Sequence, residues 1–403
     1  MVPFFSALLT FGAAIVASVV AVFFVEVIAA LTLGRRYDGL SSITDSDVAA
    51  RITVLVPAHN ESAGLLPTLD DIKRQLRSGD RVLVVADNCT DDTATVARTA
   101  GAEVIERQDP DRRGKGYALD FGIQHLSSAP PDILIMIDAD CRVAANAIAR
   151  LTRLCAMTHR PVQALYLMAA PANSRINHKV AEFAWRVKNW LRPLGLFSLG
   201  LPCQLMGTGM AFPWEVIRSV DLANGWLVED LKLGLDLAAQ GHPPLFCPSA
   251  LVSSQFGSSA KAARTQRERW ERGHISMILT TAPRLFYRAA VDRNWNLLAL
   301  TLDLTVPPLS LLAMLVIGIV CFTAVCALLG LSLLPALIVS GAALAAFVVA
   351  AFLAWLKCGR DVVPIGAVLS IPLYILGKLG LYRIKMFNKT DAQWVRTDRA
   401  ESE

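Results

Sequence analysis

The sequence predicts an α/β domain built on a parallel sheet and set between apolar helices long enough to cross a membrane. Three observations predict it. Of 403 residues, 54% are hydrophobic and only 18% charged, which is too apolar for an ordinary soluble chain of this size. The apolar residues concentrate in 1–33 and roughly 296–385, whereas 34–293 has a globular composition and most of the charge. From Arg51 onward, short apolar runs without alternation recur between helical stretches, the pattern of strands buried on both faces of a parallel sheet.

Taken in order, Phe4–Leu33 is long enough for one span, since roughly 20 apolar residues cover the hydrocarbon core. It lacks a basic leading region and its apolar stretch exceeds the ~7–15 residues of a signal peptide, so it reads as an uncleaved anchor. Arg35 and Arg36 follow it, and the positive-inside rule then puts the central domain in the cytoplasm. "TVPPLSLLAMLVIGIVCFTAVCALLG" and "LPALIVSGAALAAFVVAAFLAWL" read as two further spans, with Lys357 and Arg360 returning the chain to the cytoplasm. The last apolar stretch, 362–385, is broken by Pro364, Pro372, Gly366, Gly377, Gly380 and Lys378, so it reads as re-entrant or interfacial. The expected organisation is an N-terminal helix 1–33, a cytoplasmic domain 34–293, membrane or interfacial helices 294–387 and a tail 388–403. Glu26 and Asp303 lie in the apolar tracts; facing lipid would be costly, so they should pair or line a polar path.

The eight cysteines include no CxxC pair, and neither a zinc site nor a disulfide framework is expected. The net charge of +5 is mild. It fits contact with anionic lipid headgroups and gives no reason to invoke nucleic acid.

Within the central domain, "RITVLVPAHNE", "DRVLVVADNCTDDT", "AEVIERQ" and "DILIMIDADC" read as strands, separated by helices over Leu65–Leu76, Ala94–Ala100 and Lys115–Leu126. In open sheets of this kind, ligands collect beyond the carboxyl ends of the strands. Polar clusters stand at three of those ends: His59-Asn60-Glu61, Asp87 with Asp91 and Asp92, and Asp138 with Asp140. Asp and Asn also favour turns and helix caps, an explanation that weakens when three ends converge. Asp138 and Asp140, two apart in an extended segment, are expected to point the same way and to reach one hard cation. Mg2+ or Mn2+ held by one or two carboxylates completes its shell with water and substrate phosphates. Arg112, Arg113 and Lys115 in "DRRGKGYAL" supply cations on a glycine-containing loop that lacks the spacing of a Walker A motif.

The ordered set "VPAHNE", "DNCTDDT", "GKGYAL", "DADC", "GTGM", "VEDLKLGL" and "QRERW", over about residues 50–275, resembles the membrane-embedded inverting family 2 glycosyltransferases. That group includes cellulose, hyaluronan, chitin and poly-N-acetylglucosamine synthases. The resemblance implies a GT-A-type, Rossmann-like domain, a UDP-sugar donor and a Mg2+ or Mn2+ ion. It implies that Asp87 binds the uracil or ribose, with Pro57, Ala58 and Glu61 lining the nucleoside pocket and Lys115 flanking the nucleotide. Asp138 and Asp140 would hold metal and diphosphate, and Asp230 would be the general base beside Glu229. Gln266, Arg269 and Trp270 would close over diphosphate and acceptor, and Gly207, Thr208 and Gly209 would shape the acceptor site. The cluster "NKTDAQWVRTDR" would cap the active site, or else is an inert tail.

The chemistry is consistent with those roles. One carboxylate suffices to take the acceptor proton, and a metal-stabilised diphosphate needs no acid to leave. A single displacement inverts the anomeric centre, so an α-linked donor gives a β-glycoside. Two acceptors are carried forward, a growing polysaccharide and a single lipid. Three spans are fewer than the larger polymer synthases carry, which points to a homo-oligomer or a separate export partner for the product.

Overall fold

The computed structural model describes residues 2–32, 49–171, 174, 176–223, 228–257 and 260–368. In chain order it places α1 (Val2–Thr32), β1 (Ile52–Ala58), α2 (Leu66–Lys73), β2 (Arg81–Asp87), α3 (Thr93–Thr99), β3 (Glu103–Arg107), α4 (Lys115–Leu126) and β4 (Ile133–Met136). There follow β5 (Arg142–Val143), α5 (Ala147–Thr158), β6 (Val162–Ala169), α6 (Ile176–Arg186), a π turn over Val187–Leu191, α7 (Arg192–Ser198), β7 (Met210–Pro213), α8 (Trp214–Ile217) and α9 (Glu229–Ala239). The chain continues with β8 (Leu245–Gln255), α10 (Ala260–Thr280), α11 (Ala282–Val291), α12 (Trp295–Thr305), α13 (Leu309–Leu328), α14 (Leu334–Cys358) and the short α15 (Ile365–Val368). Arg35, Arg36, most of the 362–385 stretch and the "NKTDAQWVRTDR" cluster lie outside the described residues.

Two compact units emerge. One, whose described residues are 49–171, 201–223, 228–257 and 260–273, carries an eight-stranded sheet in the order β3-β2-β1-β4-β7-β6-β8-β5. The first four strands are parallel, with Val54 opposite Val82 on one side and Ile135 on the other, as the unalternating apolar runs predict. The sheet as a whole is mixed, because β7 runs antiparallel to β4 and β6, and β5 antiparallel to β8. β1 is buried along its full length. Burying each of its large apolar side chains contributes about 1.5–3 kcal/mol.

Helix α4 shows why the local sequence takes its place. Its buried residues Ala118, Leu119, Gly122, Ile123 and Leu126 recur at helical spacing and form one apolar face. Gly122 lets that face close on the sheet, for a Cβ there would sit 2.6 Å from Leu55 Cδ1 and 3.1 Å from Val85 Cγ2. The helix begins at Lys115, with Gly114 before it at φ +144°.

The other unit, whose described residues are 2–32, 174, 176–200 and 274–368, holds, among the described residues, three helices long and apolar enough to cross a membrane: Phe4–Thr32, Leu309–Leu328 and Leu334–Cys358. α1 packs on α14 through Val20, Phe23 and Val27 against Phe347, Ala350 and Ala354. The Thr323 and Ser340 hydroxyls lie 3.2 Å apart, joining α13 to α14. Glu26 and Asp303 do pair, through a residue the sequence did not single out. Arg192 Nε donates to Glu26 Oε2 and Nη2 donates to Asp303 Oδ1, both at 2.6 Å, with all three side chains buried. Beside them the His274 Nε2 lies 2.9 Å from the Leu304 carbonyl oxygen. Burial first, and then the nearby Lys188 and Arg192, push the His274 ring down to about 3, so it stays neutral.

Candidate active site

β4 ends at Met136, and Asp138 and Asp140 stand past it in a turn rather than in extended backbone. The two carboxylates do come within 4.8 Å of each other, but a turn brings them together and not alternation along a strand. The backbone at Ile137 still bonds to β1, its N–H donating to the Leu55 carbonyl, and the chain then curls so that Cys141 N–H donates to the Asp138 carbonyl at 3.2 Å. The buried Thr68 hydroxyl on α2 sits 2.7 Å from both the Ala139 and Cys141 carbonyl oxygens and holds the turn from beneath. The Asp138 N–H donates to Thr208 Oγ1 at 2.9 Å.

A cation expected from the loop before α4 reaches this turn. The Lys115 ammonium pairs with Asp138 and donates to the Gly207 carbonyl at 2.7 Å. Burial alone would draw its proton affinity down, but Asp138, Glu229 and Asp230 outweigh that and hold it above its usual range. Arg112 instead pairs with Asp109 on the exposed side, and Arg113 is exposed. Of these three cations, Lys115 is the one among the carboxylates.

Gly207 brings in the remaining acids. Its backbone is at φ +92°, and a Cβ there would lie 3.3 Å from Asp230 Oδ2 and 3.7 Å from Lys115 Nζ. Asp230 and Glu229 form the first turn of α9, where the positive end of the helix dipole favours a carboxylate. Burial and then the Asp230 charge push Glu229 up to about 7, against the pull of Lys115 and Arg269. Asp138 is raised too, by burial and Asp140, with Lys115 opposing. Asp138, Lys115, Gly207, Glu229 and Asp230 thus meet at one place, with Thr208 and Gly209 in the adjoining turn.

Gln266, Arg269 and Trp270 lie on α10. Arg269 is close enough to act on Glu229, while Gln266 Oε1 and Arg269 Nε are buried without a hydrogen-bond partner among the described residues.

Pro57 and Ala58 close β1, both buried, and the Glu61 N–H donates to Thr93 Oγ1 at 2.9 Å. Asp87 ends β2 almost fully buried and is paired with Arg107 at 2.7 Å. Arg107 also reaches Asp109 at 3.0 Å and lies 5.5 Å from the centre of the Tyr117 ring. The other Asp87 oxygen, Oδ2, and the neighbouring Asn88 Nδ2 are buried without a hydrogen-bond partner among the described residues. Arg107, Asn88 and Thr68 escaped the sequence reading. An arginine ending a strand and a threonine inside a helix carry no periodic signal, and Asp87, Ala139 and Cys141, which they hold, are 20 to 73 residues away.

Asp138, Asp140 and Cys141 each offer an atom within 4.8 Å of the others, a spacing that could hold a metal ion. Burial and Asp140 push the Cys141 thiol well up, and a soft sulfur donor suits a hard cation poorly. What remains is a pair of hard carboxylate donors, the type that suits Mg2+ or Mn2+.

A family model described as "Glycosyltransferase like family 2" matches residues 49–273. A curated relative, the low-salt glycan biosynthesis hexosyltransferase Agl6 of Haloferax volcanii, is 33% identical over 121 residues, 29% of this chain and 27% of that protein. The chain therefore spans about a quarter of that relative's length. Among solved structures, a mannosyltransferase of Pyrobaculum calidifontis, in complex with GDP-Man and Mn2+, is 18% identical with a TM-score of 0.46, covering 92% of this chain and 99% of that one. Glucosyl-3-phosphoglycerate synthase of Mycobacterium tuberculosis, in complex with Mg2+ and UDP, is 23% identical with a TM-score of 0.39, covering 56% of this chain and 79% of that one. Both structural likenesses are loose, and they name different nucleotides.

Proposed function

We propose, from the premise that the chain belongs to glycosyltransferase family 2, that it transfers a sugar from a UDP-sugar, with inversion, to a growing polysaccharide at the cytoplasmic face of a membrane. The observation that carries this reading is the meeting of Asp138, Lys115, Gly207, Glu229 and Asp230 at the carboxyl edge of the sheet, from segments far apart in sequence.

In this reading Asp230 takes the proton from the acceptor hydroxyl. It stands at a helix N-terminus beside a lysine, which suits a carboxylate that must be ionised to act. Glu229 binds acceptor hydroxyls, with Thr208 and Gly209 shaping the same side. Asp138 and Asp140 would hold Mg2+ or Mn2+, which supplies stabilisation of the charge developing on the diphosphate. Lys115 adds a fixed positive charge there, and Gln266, Arg269 and Trp270 cover the diphosphate.

Asp87 would bind the uracil or ribose of the donor: one of its oxygens pairs with Arg107, and the other, like Asn88 Nδ2, has no hydrogen-bond partner among the described residues.

The membrane placement rests on the three long apolar helices. Tyr287, Val291 and Trp295, exposed beside the exposed Arg284 and Arg288, suit the headgroup region of lipids. The test is to incubate the protein, reconstituted in lipid with Mg2+ or Mn2+, with labelled UDP- and GDP-sugars and to size the product. Label passing from a UDP-sugar into material that resists lipid extraction is expected. A single-sugar lipid would replace the polysaccharide with a lipid acceptor, and label passing from GDP-sugars alone would overturn the donor.

A further inference from the structure

Gln163 is out of place by composition: it sits in "VQALYLMA", the sequence of β6, and is fully buried in a strand that is otherwise apolar. A buried amide is costly unless its polar atoms are answered. Here three bonds answer it. Nε2 donates to the Thr208 carbonyl at 2.9 Å and to the Ala164 carbonyl at 2.8 Å, and Oε1 accepts from the Met206 N–H at 2.8 Å.

The location explains the need. β6 pairs with β7 only through Val162 opposite Ala211 and Gln163 opposite Met210, so the turn before β7 has left the ladder. Its next tie is the Ala164 N–H donating to the Gly209 carbonyl at 2.8 Å. The Gln163 amide bonds the turn on both sides of Gly207, once at residue 206 and once at residue 208. Gly207 in turn accepts from Lys115, which pairs with Asp138. Thr208 Oγ1 accepts from the Asp138 N–H and lies 3.6 Å from Cys141 Sγ.

We propose that Gln163 is a positioning residue for sugar transfer: through the turn over 206–208 it sets where Lys115 and Asp138 stand, and hence the grip on the donor diphosphate. The claim rests on the transferase reading, because it assigns those two side chains to the donor. Gln163 itself is buried behind the turn and touches no substrate. The Gly207 carbonyl accepts from the Lys115 ammonium independently of Asp138, and Gln163 fixes the residues on either side of that carbonyl.

The experiment measures UDP affinity by calorimetry and donor KM and kcat in Gln163→Met, Gln163→Asn, Lys115→Gln and the double variant Gln163→Met/Lys115→Gln. Leu151→Ala, a cavity in α5 beside the sheet, serves as a control for lost stability alone. The expected result is a UDP Kd and donor KM raised about tenfold in Gln163→Met, about 1.4 kcal/mol, with kcat changed less. Gln163→Asn, which keeps an amide but falls a methylene short, should show the same split if Gln163→Met does not fold. The double variant should bind UDP no worse than Lys115→Gln, as for two groups acting in one chain of contacts. Leu151→Ala should lower the melting temperature and leave UDP affinity alone. Additive losses in the double variant, unchanged UDP affinity in both Gln163 variants, or an equal loss in Leu151→Ala would each overturn the proposal. Failure of wild-type protein to bind UDP at all would instead sink the donor assignment on which it rests.

Discussion

Glu229 and Asp230 are adjacent acids at one helix start, and their surroundings push them toward different work. Burial and the neighbouring Asp230 raise Glu229 from 4.5 to about 7, so near neutral pH it exchanges its proton readily and can donate or accept a hydrogen bond. A carboxyl whose proton affinity rises on folding holds its proton more tightly in the folded chain, so its favourable contribution is complete below pH 4.5 and is lost as pH rises through 7. The melting temperature should therefore fall between pH 5 and pH 8 by more in the wild type than in Glu229→Gln, which cannot ionise. Equal falls in the two proteins, followed by scanning calorimetry, would remove Glu229 from the half-buried acid cluster. At this scale the sequence marked candidate residues and little of what holds them in place. Asp87 stood out at a strand end, but its clamp by Arg107 depends on β2 and β3 pairing in one register, and neither local pattern encodes that.

Among the elements, α1, α7 and α12 are joined by one guanidinium. Charges within apolar tracts are visible in any hydropathy reading, so Glu26 and Asp303 could be flagged and expected to pair. Arg192 could not, because "WRVKNWLRPLGL" looks like an ordinary amphipathic stretch and its burial follows from long-range packing. Gly195, one turn on, has its Cα against the Glu26 backbone, where any Cβ would collide with the carbonyl, so α7 and α1 touch without side chains between them. Replacing Arg192 by Met leaves two buried carboxylates facing each other and should destabilise by about 3–5 kcal/mol. The triple variant Glu26→Gln/Arg192→Met/Asp303→Asn should recover most of that. Thermal unfolding in detergent checks both; a triple variant no better than Arg192→Met would show that the arginine acts by packing and not by charge. The element pattern of the sheet was more legible. Its parallel strands carry their own signature of unbroken apolar runs, whereas the antiparallel β7 and the two-residue β5 are too short to declare themselves.

For the whole molecule, the order β3-β2-β1-β4 is what turns scattered motifs into a site. It sets the ends of β1, β2 and β4 side by side, with Lys115 at the start of α4 beside the last of them. That convergence was foreseeable, since ligands gather at the carboxyl ends of such sheets, and a match to glycosyltransferase family 2 over residues 49–273 agrees with it. The turn behind the site was not foreseeable: "GTGM" names its residues, but the buried Gln163 that fastens it lies more than 40 residues earlier. The central claim is that Asp230 is the base of a single inverting displacement. The most direct measurement follows a UDP-sugar of α configuration by NMR with the reconstituted protein and its Asp230→Asn variant, reading the anomeric configuration of the product, and titrates UDP into both. The account predicts a β-glycoside from the wild type and no transfer by Asp230→Asn, with UDP affinity retained in the variant. An α product, or normal turnover in Asp230→Asn, would contradict it.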